Sequence, residues 1–407
     1  MNEDAMQSRS EAIRVASAEK TDFDAASLVR SSQTIAGSFA PIDAGLASRF
    51  SRFTDWLNDQ PAMEVSRKEA VELQLRKLLS TRLRLSADRQ RIPAIAEERI
   101  ERPIFVIGFA RTGTTLIHSL LAEDERARAP LWWHTHAPSP PPGEVPVTAE
   151  RIEQTGRDLD RLLDLAPGLL TLHPYWDKRG LCPIEDEEIF TLDFQNAYPS
   201  LLYHVPALAM LLDANNMADA YAFHRQFLQH LQWNRAPAHW VVKGIYHQFA
   251  LESLFTAYPD ALCIWPHRDP VEVHPSTLAI TAVLYGGITN WRMDFEALGP
   301  AFVASISESV AQAMGNPLID DPRILHVDFR DLTRDPIDVI RRAYGHWSMK
   351  FEPAFEERMS AWLADSNNAP NRYGRYDYAM EPFGLTREMI EQAFEGYSQR
   401  FRLGRFR

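Results

Sequence analysis

Short runs of apolar residues alternate along the chain with segments in which apolar residues recur at the spacing of an α-helix. The first run, at residues 104–107, has the uninterrupted apolar character of a strand buried in a parallel sheet. A helical segment follows at residues 114–121, and further strand-like runs occupy residues 239–243, 261–265 and 323–327. This alternation predicts an α/β fold with a central parallel sheet.

Other segments flank and interrupt the α/β pattern. Residues 25–100 have helical periodicity, so we expect a helical N-terminal extension at residues 1–100 before an α/β domain at residues 101–407. Residues 149–235 predict a helical insertion in that domain. The six prolines of residues 129–147 predict a loop without regular structure, which lies on the surface or lines a cleft.

Composition and charge exclude several classes of partner. The chain has 407 residues, of which 45% are hydrophobic and 24% charged, values that are ordinary for a folded, water-soluble protein. A net charge of −12 gives no general attraction to nucleic acid or to an anionic membrane, so neither is expected as a partner. A small anion bound in a cleft stays compatible with this charge.

The N-terminal sequence and the hydropathy pattern predict a cytoplasmic protein. The first twenty residues are polar and lack the apolar core of a secretory signal. No stretch approaches the roughly 20 apolar residues that span a bilayer. The sequence leaves the oligomeric state open, and a homodimer is one expectation.

Residues 108–115, Gly-Phe-Ala-Arg-Thr-Gly-Thr-Thr, stand where the first strand turns into a helix. The N–H groups of such a turn converge on an anion, so this is a P-loop and the fold is predicted to be of the three-layer P-loop type. A nucleoside-triphosphate P-loop has lysine after its second glycine. Here that position is Thr114 and the charge lies at Arg111, which argues against a triphosphate.

The loop resembles that of the sulfotransferases that depend on 3′-phosphoadenosine-5′-phosphosulfate (PAPS), in particular the bacterial group with the pattern PxFVxGxxRTGTT. The match runs from Pro103 to Thr115. A second family motif is an arginine followed eight residues later by a serine, and Arg268 and Ser276 have this spacing. The likeness covers about residues 100–380.

The resemblance implies that PAPS is the sulfuryl donor, that its desulfated form, 3′-phosphoadenosine-5′-phosphate (PAP), is a product, and that no metal is needed. It also assigns residues to the donor. The loop would hold the 5′-phosphosulfate, Arg268 and Ser276 would hold the 3′-phosphate, and the basic segment at 372–376, including Arg375, would close over the nucleotide. The loop residues of this set are Arg111, Thr112, Gly113, Thr114 and Thr115.

Transfer of a sulfuryl group requires positive charge at the transferring group and a base for the acceptor proton. Arg111 is predicted to supply that charge from the loop. Lys243, at the end of an apolar run, is predicted to approach the same group from the opposite side. In the resembling family this strand also ends in lysine and is often followed by a histidine, here His247.

The base is expected at a point where the chain departs from the family. The family often has a Trp-Glu pair about 23 residues beyond the loop arginine, and here the pair is Trp133-His134. A neutral imidazole performs the same proton transfer. His134 is therefore the first candidate, His136 and His247 are alternatives, and Lys243 or an acid of residues 185–188 comes next.

The predicted acceptor is a small molecule with a hydroxyl group, of apolar or aromatic character. Aromatic residues that are candidates for its pocket are Trp132, Trp133, Tyr175, Trp176, Phe190 and Phe194. Two other functional classes stay open. One is a P-loop small-molecule kinase or NTPase, and the other is a non-catalytic nucleotide-binding protein of the same fold.

Overall fold

The structure is a computed structural model. It describes residues 22–37, 42–59, 65–195, 217–288, 294–374 and 378–406.

A parallel sheet forms the centre of the described structure. Its strands are β1 (Ile104–Ile107), β2 (Ala127–Arg128), β3 (His239–Gly244), β4 (Leu262–His267) and β5 (Ile324–Asp328). The strand order is β2-β3-β1-β4-β5, and every pairing is parallel. The four predicted strands are confirmed within two residues at each end. The edge strand β2 was not predicted, because two residues are too few to show a periodicity.

Helices surround the sheet. In chain order they are α1 (Ala25–Ala36), α2 (Ala44–Asn58), α3 (Val65–Arg91), α4 (Thr114–Leu121), α5 (Trp132–His136), α6 (Ala149–Leu165), α7 (Leu169–Leu172), α8 (Asp186–Leu192), α9 (Ala218–Gln232), α10 (Leu251–Ala257), α11 (Pro270–Ile288), α12 (Phe295–Met314), α13 (Phe329–Arg334), α14 (Pro336–His346), α15 (Pro353–Ala364), α16 (Arg387–Ala393) and α17 (Glu395–Arg400).

The two faces of the sheet are covered by different helices, because successive side chains of a strand point to opposite sides. Phe105 and Ile107 of β1 pack into a core that includes residues of α1 to α3 and α8 to α10. Ile104 and Val106 pack into a second core with α4, α14 and α15. The three-layer α/β prediction is thus confirmed, and the N-terminal helices share a core with the sheet.

The proline-rich segment contains a short helix that the sequence analysis excluded. Residues 132–136 form α5, because the chain between Pro130 and Pro138 is free of proline and has room for one helical turn. The backbone N–H of Trp132 donates to the carbonyl of Cys182 at 2.8 Å, which attaches this turn to the insertion. The prediction of a segment without regular structure was wrong at these five positions.

Parallel strands place their carboxyl ends at one edge, where ligands of open α/β sheets bind. Here that edge carries Gly108 after β1, Gly244 at the end of β3 and Arg268 after β4. In the part of the chain that the structure describes, no helix is both long and apolar enough to span a bilayer.

The first prediction concerns His274, a buried histidine on α11 that stacks on Phe394 with ring centroids 4.4 Å apart. Burial lowers its pKa to about 3. The neutral ring costs no unfolding free energy at pH 7. Below about pH 6.5 the imidazole is protonated in the unfolded chain but not in the folded protein, so the free energy of unfolding falls. His274→Phe should therefore reduce the loss of unfolding free energy between pH 7 and pH 5 by about 2 kcal/mol.

Urea unfolding at the two pH values measures this difference. His346→Phe is the control, because the side chain of His346 is exposed, and the wild-type loss of stability should be retained. An equal loss in wild type and His274→Phe would contradict the prediction.

Candidate active site

The loop that joins β1 to α4 is shaped to bind an anion. Gly108 and Gly113 have positive φ angles of 120° and 91°, and Arg111 between them is also left-handed, at 69°. Gly113 caps α4, whose first N–H groups have no partner within the helix and lie at the positive end of its dipole. The loop therefore presents donors to an anion at the carboxyl edge of the sheet.

The threonines of the loop differ in what they can offer to a ligand. Thr112 is fully buried, and its hydroxyl donates to the carbonyl of Phe109 at 2.7 Å. Its side chain therefore holds the loop in shape. Thr114 is also buried at the start of α4, whereas Thr115 is partly exposed and accepts a long hydrogen bond of 3.4 Å from Lys243.

The guanidinium of Arg111 joins three separate parts of the chain. Its Nε donates to Ser276 Oγ at 2.8 Å and its Nη1 to the carbonyl of Leu172 at 2.7 Å. Its Nη2 donates to the hydroxyl of Tyr378 at 2.9 Å. Arg111 therefore connects the loop with α11, with the end of α7 and with Tyr378, which lies after α15 in sequence.

Arg268 lies against the same loop from the end of β4. Its Nη1 donates to the carbonyl of Arg111 at 2.8 Å, and its guanidinium lies 4.3 Å from the ring centre of Phe329. An ion pair with Glu272, at 2.9 Å, holds the other side of the side chain. The structure thus brings together Arg111, Arg268 and Ser276, as the spacing of the two motifs predicted.

Lys243 ends β3 on the other side of the loop and is only 3% exposed. Its ammonium group pairs with Glu185 Oε1 at 2.8 Å and also donates to Thr115. Glu185 directly precedes α8, so it comes from the acidic cluster considered above. A buried ammonium requires such a partner, since an isolated charge is costly to desolvate.

His173 lies next to a residue bound by Arg111 and was not among the residues predicted from the sequence. It directly follows α7, next to Leu172, whose carbonyl is bound by Arg111. Its Nδ1 is buried and has no hydrogen-bond partner among the described residues. Burial, and then the charge of Lys243, lower its pKa to about 3, while the charge of Glu185 acts in the opposite direction. The ring is therefore neutral at physiological pH.

His134 lies on α5, which is joined to residues 182–184 just before Glu185. It is 4% exposed, and its Nδ1 accepts a hydrogen bond from the backbone N–H of Leu131 at 2.8 Å. Burial lowers its pKa to about 3, and the nearest charges include Arg235 and Arg151, neither of which touches the loop. This placement does not support the predicted role of general base. His136 stacks on Trp132, with ring centroids 4.3 Å apart, and belongs to the same turn.

His247 is also occupied by structural contacts. It is fully buried, with Nδ1 2.7 Å from the hydroxyl of Tyr221 and Nε2 2.9 Å from Asp186 Oδ2. Both ring nitrogens therefore have partners within the protein, and neither is available to an acceptor hydroxyl. The structure does not support His247 as the base, and it explains the histidine as part of a buried network beneath β1.

Two further predictions concern the nucleotide cover and metals. Arg375 lies outside the described residues, whereas Arg372 of the same segment forms an ion pair with Asp177 at 2.9 Å. Among the described residues, no group of three or more His, Cys, Asp or Glu side chains is placed to hold a metal ion.

A comparison with protein families identifies the class of this chain. A model of the sulfotransferase family matches residues 103–353, which is more than half of the chain. The chain therefore belongs to the sulfotransferase family and is an enzyme that transfers a sulfuryl group. Neither the kinase alternative nor the non-catalytic one is favoured.

Individual relatives agree with this assignment. The omega-hydroxy-beta-dihydromenaquinone-9 sulfotransferase Stf3 of Mycobacterium tuberculosis is 25% identical over 310 residues, which are 72% of this chain and 74% of Stf3. The crystal structure of sulfotransferase STF9 from Mycobacterium avium has a TM-score of 0.80 and 26% identity, and the match covers 94% of this chain and 99% of STF9. Sulfotransferase STF1 of M. tuberculosis shares the fold, with a TM-score of 0.75 and 24% identity over 93% of this chain and 100% of STF1.

The second prediction tests the backbone of the loop. A Cβ at Gly113 would lie 2.4 Å from Leu332 Cδ2, at a φ that side chains rarely adopt. Gly113→Ala should therefore destabilise the protein by about 2 kcal/mol or more. Gly345→Ala is the control, because a Cβ there meets no atom within 4 Å and the helical site should gain about 0.5–1 kcal/mol.

Urea unfolding of both variants at pH 7 provides the measurement. Unchanged stability of Gly113→Ala would show that the loop does not require its left-handed glycine.

Proposed function

We propose that this enzyme transfers the sulfuryl group of PAPS to the hydroxyl of a small apolar or aromatic acceptor, with His173 as general base. One observation carries this proposal. Two arginines and a serine converge on an anion-binding loop that a buried lysine contacts from β3, and a neutral histidine directly follows the residue whose carbonyl is bound by Arg111.

The donor groups at the loop fit the chemistry of PAPS, which carries a 3′-phosphate and a 5′-phosphosulfate. Guanidinium and hydroxyl groups bind phosphate through charge-assisted hydrogen bonds, and Arg268, Arg111 and Ser276 provide them within one contact network. We assign the 3′-phosphate to this group and the 5′-phosphosulfate to the N–H groups of residues 112–115. PAPS supplies the activated sulfuryl group when it is bound.

The contacts of the two cations support a division of roles between them. Arg111 donates to Ser276, which favours a place at the 3′-phosphate side of the loop. Lys243 reaches Thr115 at the start of α4, which favours a place beside the transferring group. We therefore assign to Lys243 the stabilisation of negative charge that develops during transfer.

His173 meets the requirements of the base better than the histidines predicted from sequence. Its Nδ1 has no partner in the described structure, and the charges of Lys243, Glu185 and Arg111 all act on it. It would accept the proton of the acceptor hydroxyl, and the carboxylate of Glu185 would stabilise the imidazolium that results. His134 and His247 are held by other contacts.

The surroundings of His173 support an apolar acceptor. Trp176 lies beside the imidazole, with ring centroids 5.0 Å apart, and Tyr175 follows at 6.3 Å. The relative Stf3 is named for its action on a hydroxylated menaquinone derivative, which is an apolar molecule. We propose an acceptor of this chemical class, an apolar alcohol or phenol.

The third prediction tests the donor. The protein should bind PAP at least about tenfold more tightly than adenosine 5′-phosphate, because only PAP offers a 3′-phosphate to Arg268 and Ser276. Arg268→Ala should abolish most of this preference in calorimetric titrations. Arg334→Ala is the control, since Arg334 is an exposed arginine that pairs with Asp331. Equal affinity of the wild type for the two nucleotides would refute the assignment of the 3′-phosphate.

The fourth prediction tests the base. His173→Ala should lower kcat by about 10²–10⁴, the range for loss of general base catalysis, and should leave the affinity for PAP nearly unchanged. His134→Ala, a matched loss of a buried imidazole outside the loop, should retain turnover wherever the variant is folded. Steady-state kinetics with an apolar alcohol as acceptor measure both. Normal turnover of His173→Ala together with a collapse in Glu185→Gln would transfer the role to that carboxylate.

A further inference from the structure

The segment that carries His173 has little local structure to hold it. The preceding helix, α7, comprises only residues 169–172, and His173 itself lies outside the helix, with φ −139° and ψ 72°. The turns that follow, at residues 174–181, are interrupted by Arg179, whose φ is 55°. The position of the imidazole therefore depends on contacts with other parts of the chain.

An ion pair with a distant segment is one of these contacts, in addition to the ion pairs of Arg179 with Asp160 and Glu153 of α6. Arg372 binds Asp177 with two hydrogen bonds of 2.9 Å, from Nε to Oδ2 and from Nη2 to Oδ1. The same Nη2 donates to the carbonyl of Pro174 at 2.7 Å, one residue beyond His173. The arginine side chain is only 11% exposed. We call this pair the Arg372–Asp177 clamp.

Neighbouring contacts extend the clamp to both sides of His173. The hydroxyl of Tyr373 donates to Asp177 Oδ2 at 2.9 Å, and Thr171 donates its hydroxyl proton to the carbonyl of Tyr373 at 3.1 Å. Lys178 donates to Asn368 Oδ1 at 2.9 Å. Residues 368–373 thus form hydrogen bonds with the chain on both sides of His173.

The same stretch of chain is fixed to the donor loop. Arg111 donates to the carbonyl of Leu172, directly before His173, and to the hydroxyl of Tyr378, which follows the clamp segment in sequence. The C-terminal segment therefore contacts both the donor loop and the segment of His173. The hydrogen bonds that hold residues 368–373 and Tyr378 against the protein are thus made to the donor loop and to the chain on both sides of His173.

We propose that the Arg372–Asp177 clamp positions His173 for proton transfer, so that Arg372 and Asp177 are positioning residues of the reaction. This inference rests on the proposed role of His173 as the base. Neither residue needs to touch the acceptor. Their function is to hold the chain on both sides of His173, which fixes the place of the imidazole.

Asp177→Ala is the variant that tests the clamp, and Asp158→Ala is its matched control. Asp158 is a carboxylate of similar exposure, 23% against 26%, and pairs with Lys77 and Arg161 on the surface. In steady-state kinetics, Asp177→Ala should lower kcat about ten- to a hundredfold, as expected for a misplaced catalytic group. The kinetics are run at saturating PAPS, because Arg372 and Tyr373 also belong to the predicted nucleotide cover and their release from Asp177 weakens donor binding if that cover forms. Asp177→Glu should restore part of the rate.

The pH dependence separates positioning from a general loss of structure. The pKa of His173 is lowered to about 3 by burial, so kcat of the wild type should show no acidic limb from this group above pH 5. When the clamp is lost the imidazole becomes solvated, and its pKa should rise toward about 6.5. Asp177→Ala should therefore lose activity below about pH 6.5, whereas Asp158→Ala should follow the wild type.

A measurement without turnover distinguishes failure of this inference from failure of the proposed function. The imidazole of His173 is followed by NMR in ¹³C-labelled protein, with His173→Gln for assignment. If His173 in Asp177→Ala remains neutral down to pH 5, the clamp does not position it and the inference is overturned. If its pKa rises while kcat is unchanged, the clamp holds His173 but the base is another group.

Arg372→Lys provides a second variant if Asp177→Ala does not fold. Lysine keeps the charge but cannot form the two parallel hydrogen bonds to Asp177. We expect the same shift of the His173 titration, with a smaller loss of kcat. A wild-type titration curve and wild-type turnover in this variant would contradict the proposal.

Discussion

The guanidinium of Arg111 is the interaction on which the rest of the site depends. The backbone of Arg111 is left-handed, and its side chain donates hydrogen bonds to Ser276, Leu172 and Tyr378, which belong to three distant parts of the chain. Its own carbonyl accepts a hydrogen bond from Arg268. A planar group with five fixed donors can hold several segments at once, which an ammonium group cannot do with the same geometry. The loop backbone adopts the strained conformation that this arrangement requires.

Burial decides which ionisable groups can take part in chemistry. The ion pair with Glu185 stabilises the buried ammonium of Lys243. His173 stays neutral because a charged imidazolium would lose its hydration in this environment. A lysine and a neutral imidazole can thus lie near each other without strong repulsion. The resulting pair combines a positive charge with a proton acceptor, and both are requirements of sulfuryl transfer to a hydroxyl.

Other buried histidines show that an imidazole in this fold is commonly a structural group. His247 and His224 both lie close to Asp186 Oδ2, at 2.9 and 3.2 Å, and each also bonds a tyrosine hydroxyl. The neighbouring histidines hold the pKa of Asp186 at about 2, although burial alone would raise it. This buried network links α8 and α9 to the end of β3, and Glu185 directly before α8 pairs with Lys243. Polar groups outside the site therefore determine its geometry.

The sequence by itself determined the fold class and the anion-binding loop, and it predicted that Arg268 and Ser276 belong to the same site. Each of these depends on a local pattern: the period of apolar residues, the order of glycine and threonine at a strand end, or a spacing of eight residues. Only the tertiary structure decided the surroundings of each described histidine. His134 and His136 lie on a helix too short to predict, while His173 directly follows Leu172, whose carbonyl is bound by Arg111 of the loop. Desolvation and the absence of a competing hydrogen bond make His173 a candidate base, and both are properties of packing between segments far apart in sequence.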